Sequence, residues 1–240
     1  MNDMKTYFYP ILLIIFLSIP AFAARPLVTD DFGTLDAGKY EFEFGYNSIT
    51  PKTGSGTTSG LVAQLKRGFT QSFDLGLELP YSMTTSSGLG DAVLHAKLKL
   101  KEFGEDEGIT ARVDIKLSNG DAVRGLGSGF LDYGFMMILS KKLAGMNTHF
   151  NTGYVVVGDP ANSSCDDTLV YGAAFKRSLT GVTEIAVEYT CISCQLRNTG
   201  NLQIGGGWQA FEAVRFDAGY SIAMNDNSNN VVTAGLTAEF

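Results

Sequence analysis

Apolar and polar residues alternate with a period of two along almost the whole chain from Tyr40 to Phe240. The run Tyr40, Phe42, Phe44, Tyr46 is interleaved with Glu41, Glu43 and Gly45. Successive side chains of a β-strand point to opposite faces, so one face here is aromatic and the other acidic. The pattern recurs in stretches at residues 61–66, 75–81, 92–100, 109–117, 131–140, 148–156, 169–176, 184–189, 202–209, 214–222 and 232–240. About twelve antiparallel strands joined in sequence follow from this spacing.

The apolar face decides what kind of β-structure is meant. It offers roughly sixty positions, of which about eleven would be charged at the chain's 18% charged fraction. Arg67 is the one candidate. A charge at a bilayer midplane costs about 2–4 kcal/mol, so such depletion suits a lipid-facing surface. Five alternate positions span roughly 27 Å, and a tilt of about 40° leaves a little over 20 Å along the membrane normal. A soluble sandwich or lipocalin-like barrel shows the same period with its faces reversed. Small Gly, Ser and Ala among the charges of the polar face fit a confined lumen better than an open surface. Connection lengths also alternate. Residues 50–59, 82–90, 119–129, 158–167, 191–200 and 223–230 read as longer polar loops. Those near 70–72, 143–146, 178–181 and 211–213 are short, with 102–108 a moderate exception. Long outside and short inside is the outer-membrane arrangement. Tyr46, Tyr81, Tyr154, Tyr171, Tyr189 and Tyr220 lie toward the long loops, and Phe69, Phe175, Phe216 and Phe240 toward the short ones, as aromatic girdles do.

Residues 1–23 read as a cleavable signal peptide: Lys5, the apolar run Ile11–Ile19, then Pro20 and the small-x-small site Ala21-Phe22-Ala23. No later segment has the ~18 consecutive apolar residues of a membrane helix, so a closed barrel is the spanning structure left. The expected organisation is a signal peptide (1–23), an N-terminal periplasmic segment or plug (24–37) and an outer-membrane β-barrel (38–240). The expected fold is all-β, a transmembrane antiparallel up-and-down barrel of about twelve strands. A formal net charge of −7 leaves no basic footprint for nucleic acid.

The polar face would line the lumen, and its candidates are Glu41, Glu43, Glu78, Lys97, Lys99, Arg112, Asp114, Lys116, Arg215 and Asp217. They read either as a ladder guiding a polar solute or as salt bridges filling a narrow barrel; opposite charges within pairing reach favour the second. His95 and His149 share that face, and Ser140 could approach His149, but a lipid-modifying enzyme would also need an orienting group. Asn225-Asp226-Asn227 lacks the spacing of a calcium loop. We expect no enzyme activity, no cofactor and no metal. Export puts Cys165, Cys191 and Cys194 in an oxidising space, where Cys165 would pair with Cys191 or Cys194. Segment 25–36 mixes apolar Leu27, Val28, Phe32 and Leu35 with Arg25, Asp30, Asp31 and Asp36. Folded into the barrel mouth, it would bury the former and pair Arg25, Asp30 or Asp31 with lumen charges, as a partial plug.

Arg25-Pro26-Leu27-Val28-Thr29-Asp30-Asp31-Phe32-Gly33-Thr34 opens the processed chain, followed by Gly38-Lys39-Tyr40-Glu41. Leu77-Glu78-Leu79-Pro80-Tyr81, Gly88-Leu89-Gly90-Asp91, Lys116-Leu117-Ser118-Asn119-Gly120-Asp121 and Gly127-Ser128-Gly129 come later. Together these resemble the phenol-degradation MetA-pathway family of outer-membrane β-barrel transporters; the Lys116–Asp121 loop departs from the family's Lys-Pro-Thr-Gly-Asp. The resemblance implies an outer-membrane channel for small aromatic or hydrophobic solutes. A terminal Phe240 on the apolar register similarly resembles the final-strand signature read by the barrel-assembly machinery. Expected partners are therefore outer-membrane lipids, that machinery and an unidentified small solute. The other readings are a structural or surface-interaction barrel and a lipid-modifying enzyme.

Overall fold

The computed structural model describes residues 25–158, 167–195 and 197–240. The expected signal peptide, residues 1–23, and Cys165 lie outside the described residues. The strands are β1 (Tyr40–Pro51), β2 (Thr58–Thr70), β3 (Phe73–Ser82), β4 (Gly88–Leu89), β5 (Val93–Gly104), β6 (Glu107–Lys116), β7 (Asp132–Leu143), β8 (Met146–Val156), β9 (Thr168–Ser178), β10 (Thr183–Ser193), β11 (Asn198–Phe211), β12 (Val214–Ala223) and β13 (Asn229–Glu239). All but the two-residue β4 form one antiparallel sheet that closes on itself, so the barrel has twelve strands. β4 folds back from a loop onto Tyr81 and Ser82 at the end of β3. Closure leaves no sheet edge, which lipid would otherwise leave unpaired.

The first and last strands meet from Glu41 opposite Glu239 to Pro51 opposite Asn229. At the seam Tyr40 and Phe240 exchange backbone hydrogen bonds of 2.8 and 2.9 Å, and their rings stack 5.9 Å apart. One end of the barrel carries only tight turns. Leu143 pairs with Met146, and the two residues between them, Ala144 and Gly145, both have positive φ (51° and 76°), the left-handed pair that matches strand twist. The expected seven-residue connection at 102–108 is also a tight turn: Gly104 pairs with Glu107 around Glu105 and Asp106. Two register shifts in β5, after Lys99 and after Glu102, interrupt the alternation there and make the turn look longer in sequence. At the other end the strands run further than their apolar pattern. β1 continues through Asn47-Ser48-Ile49-Thr50, and β10 and β11 take in much of the expected 191–200 loop. These extensions stand beyond the apolar band, so polar groups are tolerated on both faces.

The faces are inverted relative to a soluble protein. Phe135 is 53% exposed and Leu77, Leu94, Tyr154 and Ile204 face outward, whereas Glu188 is 1% and Arg112 3% exposed. Period alone cannot choose between charges inside and charges outside; the barrel puts them inside. Met136 and Ile138 of β7 are apolar exceptions on the inner face. Arg67 faces outward at the tight-turn rim, its guanidinium 5.3 Å from the Tyr40 ring and 4.9 Å from that of Phe69.

Candidate functional site

Residues 25–36 enter the barrel from the tight-turn end and follow its inner wall. At the rim, the Gly38 N–H donates to the Gly68 carbonyl at 2.9 Å, the Gly68 N–H donates to the Lys39 carbonyl at 3.0 Å, and Asp74 of β3 accepts the Leu35 N–H at 3.0 Å. Phe32 then crosses to β6 and β7. Its N–H donates to Ser140 Oγ at 2.8 Å and its carbonyl accepts from Thr110 Oγ1 at 2.7 Å. The Lys99 ammonium lies 5.1 Å from its ring centre, within cation–π reach.

Asp30 is the anchor. Its carboxylate takes Lys97 Nζ of β5 and Arg112 Nη1 of β6, each at 2.8 Å. Its backbone is matched by one amide: Asn151 of β8 accepts the Asp30 N–H at 2.6 Å and donates to the Asp30 carbonyl at 2.9 Å. Burial alone would push the Asp30 carboxyl up, but the adjacent Lys97 and Arg112 outweigh it and hold the group well below the usual carboxylate range. Asp31 sits 3.5 Å from Lys97 and accepts the Gly33 N–H.

The segment continues to β10, where Glu188 accepts the N–H groups of Val28 (2.7 Å) and Thr29 (2.8 Å) and the Thr29 hydroxyl. Leu27 packs with Ala174 and Ala186 in a small buried cluster, the two alanines leaving room for its side chain. Gln203 of β11 donates to the Pro26 carbonyl and Arg215 of β12 to that of Arg25. Arg25 ends beside β12, β13 and β1: its guanidinium is 3.4 Å from Asp217 and donates to Thr233 Oγ1 and the Ala234 carbonyl. An irregular backbone inside a barrel cannot use a strand ladder, so the wall side chains satisfy it group by group.

Glycines make the track. A Cβ at Gly45 or Gly235 would fall on the Arg25 guanidinium, one at Gly108 on the Phe32 ring, and one at Gly205 would sit 2.6 Å from Pro26 Cγ. The sequence pattern places Gly45, Gly205 and Gly235 on the polar face without assigning them to the segment, and Gly108, expected in the 102–108 connection, is in β6. Their concentration on the inward register is the signal that could have found it. Asn151 and Gln203 carried no such signal.

Each of the ten lumen candidates faces inward. Lys66 pairs with Glu41 and, at 2.6 Å, with Glu43. Arg112 reaches Asp114 at 3.0 Å, and His95 bridges Gln64 (2.8 Å) and Asp114 (3.4 Å). Lys116 holds Asp91 and Asp132, both at 3.1 Å. Arg215 pairs with Glu184, which also takes Lys176 at 3.2 Å. Glu78 is 4% exposed, and its Oε2 has no hydrogen bond among the described residues. Asp91, at the end of the Gly88–Asp91 motif, also accepts the N–H groups of Gly120 and Ser128, fixing the long 117–131 loop. Cavities of about 200 and 210 Å³ flank the segment: the first is bounded by Asp30, Leu35, Lys66 and His95, the second by Phe32, His149 and Lys176.

Ser140 and His149 do approach, with Oγ 2.8 Å from Nδ1. Ser140 is fully buried and already accepts the Phe32 N–H, so the pair holds the segment and presents no accessible nucleophile. Among the described residues no group of three or more His, Cys, Asp or Glu is placed to hold a metal. Of the cysteines, Cys194 is disulfide-bonded and Cys191 is free. Cys191 is thus excluded as a disulfide candidate. It lies on the outward register of β10, opposite Tyr171 and buried in the wall, close to the end of the strand at Ser193.

A closed twelve-stranded barrel with an apolar exterior and a charged interior is an outer-membrane β-barrel of porin architecture. Three solved barrels share this fold. An outer membrane channel from Pseudomonas putida F1 superposes with a TM-score of 0.73 at 15% identity, covering 88% of this chain and 98% of that one. The KdgM porin, solved in complex with disordered oligogalacturonate, gives 0.61 at 8% identity over 82% and 99%. The CymD monoaromatic hydrocarbon channel gives 0.50 at 9% identity over 85% and 88%. No family model and no curated protein matches the chain.

Proposed function

We propose that this protein is an outer-membrane channel for passive diffusion of small solutes, narrowed by its own segment 25–36. The observation that carries the reading is a lumen walled by charged and hydrogen-bonding groups and partly occupied by a segment docked through them. A barrel serving only as a structural element could be filled with apolar side chains; this one keeps a polar interior with cavities beside the segment. Paired charges of both signs favour a small solute carrying polar groups, such as an aromatic acid, over a plain hydrocarbon. The sequence resemblance and the fold shared with a monoaromatic hydrocarbon channel support testing aromatic solutes first. Liposome swelling with aromatic acids, sugars and fatty acids tests the reading. Faster swelling with small aromatic acids than with disaccharides is expected; no swelling with any solute would leave a structural barrel as the better account.

A further inference from the structure

The outer surface carries a second pattern, independent of the lumen. Four cations face outward just beyond the apolar band at the tight-turn rim: Arg67 on β2, Lys101 on β5, Lys141 on β7 and Arg177 on β9. In the order around the barrel, β2-β3-β5-β6-β7-β8-β9, they occupy every second strand. Two strands separate neighbours by roughly 10 Å. All four are exposed, and none has an ion-pair partner among the described residues. The one outward-facing carboxylate of the described strands, Glu107, lies at a turn and accepts the Lys142 backbone N–H at 3.1 Å. At the opposite rim the outward strand positions carry tyrosines such as Tyr46, Tyr81 and Tyr154 and no cation.

We propose that this arc binds the phosphates of anionic glycerophospholipids in the periplasmic leaflet. Aromatic side chains sit at headgroup level, and three of them set two of the cations there. Phe69 and Tyr40 flank Arg67, and the Lys101 ammonium is 5.7 Å from the Phe103 ring. Snorkelling accounts for long basic side chains reaching out of the apolar band. It does not account for four cations on alternate strands of one arc, none of them ion-paired among the described residues and only Glu107 facing outward among them, an excess of positive charge that a row of lipid phosphates would balance. The remaining circumference, β10 to β13 and β1, has no outward cation at this rim and presents Trp208, stacked on Phe216, and the Tyr40–Phe240 pair. The lipid annulus is therefore divided into an arc that selects anionic lipid and an arc that does not.

Trp208 is the only tryptophan and lies in the cation-free arc, so it serves as the reference reporter. F69W in a W208F background places a reporter beside Arg67. Each protein is reconstituted in equimolar phosphatidylglycerol and phosphatidylcholine, with one or the other lipid brominated, and fluorescence quenching is compared. At position 69 the anionic lipid should be preferred on the order of fivefold, the worth of one basic group near the surface. At Trp208 the two lipids should quench alike. Adding R67Q should remove most of the preference while heat-modifiable migration stays normal. Equal quenching by both lipids at position 69, or a preference untouched by R67Q, overturns the proposal. Native mass spectrometry of wild type against R67Q/R177Q gives a second reading without the F69W change: fewer phosphatidylglycerol adducts are expected, and equal numbers count against it.

Discussion

Asp30 and Arg112 are joined by a 2.8 Å ion pair across 82 residues of sequence, fastening the segment ahead of the barrel to the middle of β6. Both groups are buried, and Lys97 completes the anchor. Removing one partner of a buried pair typically costs about 3–5 kcal/mol, because the other charge is left without compensation. That cost falls here on segment docking, since the barrel ladder is closed without it.

Asp30→Ala should therefore release the segment while the barrel stays folded. Single-channel recordings should show higher or noisier conductance, and limited proteolysis should cut near residue 30. Wild-type conductance and protection in this variant would mean the anchor is not what holds the segment.

The pH response follows from the same pair. The folded Asp30 carboxyl lies below its unfolded value of about 3.9, so its contribution is complete above that pH and is lost as pH falls through the folded value. Conductance should show no Asp30-dependent opening between pH 7 and pH 5, and wild type and Asp30→Asn should converge only in stronger acid. A transition near pH 6 that Asp30→Asn abolishes would contradict this.

Gly45→Leu tests the track without touching a charge. Its side chain would occupy the space of the Arg25 guanidinium, so Arg25 loses Asp217 and Thr233. The variant should resemble the segment deletion in conductance while retaining heat-modifiable migration. Gly38→Ala, where a Cβ meets nothing but φ is +85°, should give local turn strain and wild-type conductance.

Thiol mapping of protein isolated without reductant should find one free cysteine, Cys191, and none at Cys194. Cys191 should label slowly until the barrel is unfolded by heat. Three free thiols would refute the disulfide.

The barrel was legible in the sequence because the membrane enforces one rule at the outward positions within the apolar band, from Phe44 to Leu236. Interruptions of that rule were not. The shifts after Lys99 and Glu102 disguise a tight turn, and Asn47–Thr50 continue a strand where both faces meet polar surroundings. The inward direction of Asp30 and Arg112 could be anticipated from charge. Their pairing could not, because it depends on how far an irregular segment travels around the wall. The same holds for Asn151 and Gln203, whose amides match backbone groups that no local pattern specifies.

The most direct test of the channel narrowed by its own segment is planar-bilayer conductance after deletion of residues 25–36. The deletion should fold, as judged by heat-modifiable migration, and show a larger unitary conductance than wild type. A folded deletion with unchanged conductance, or with none, would contradict the account.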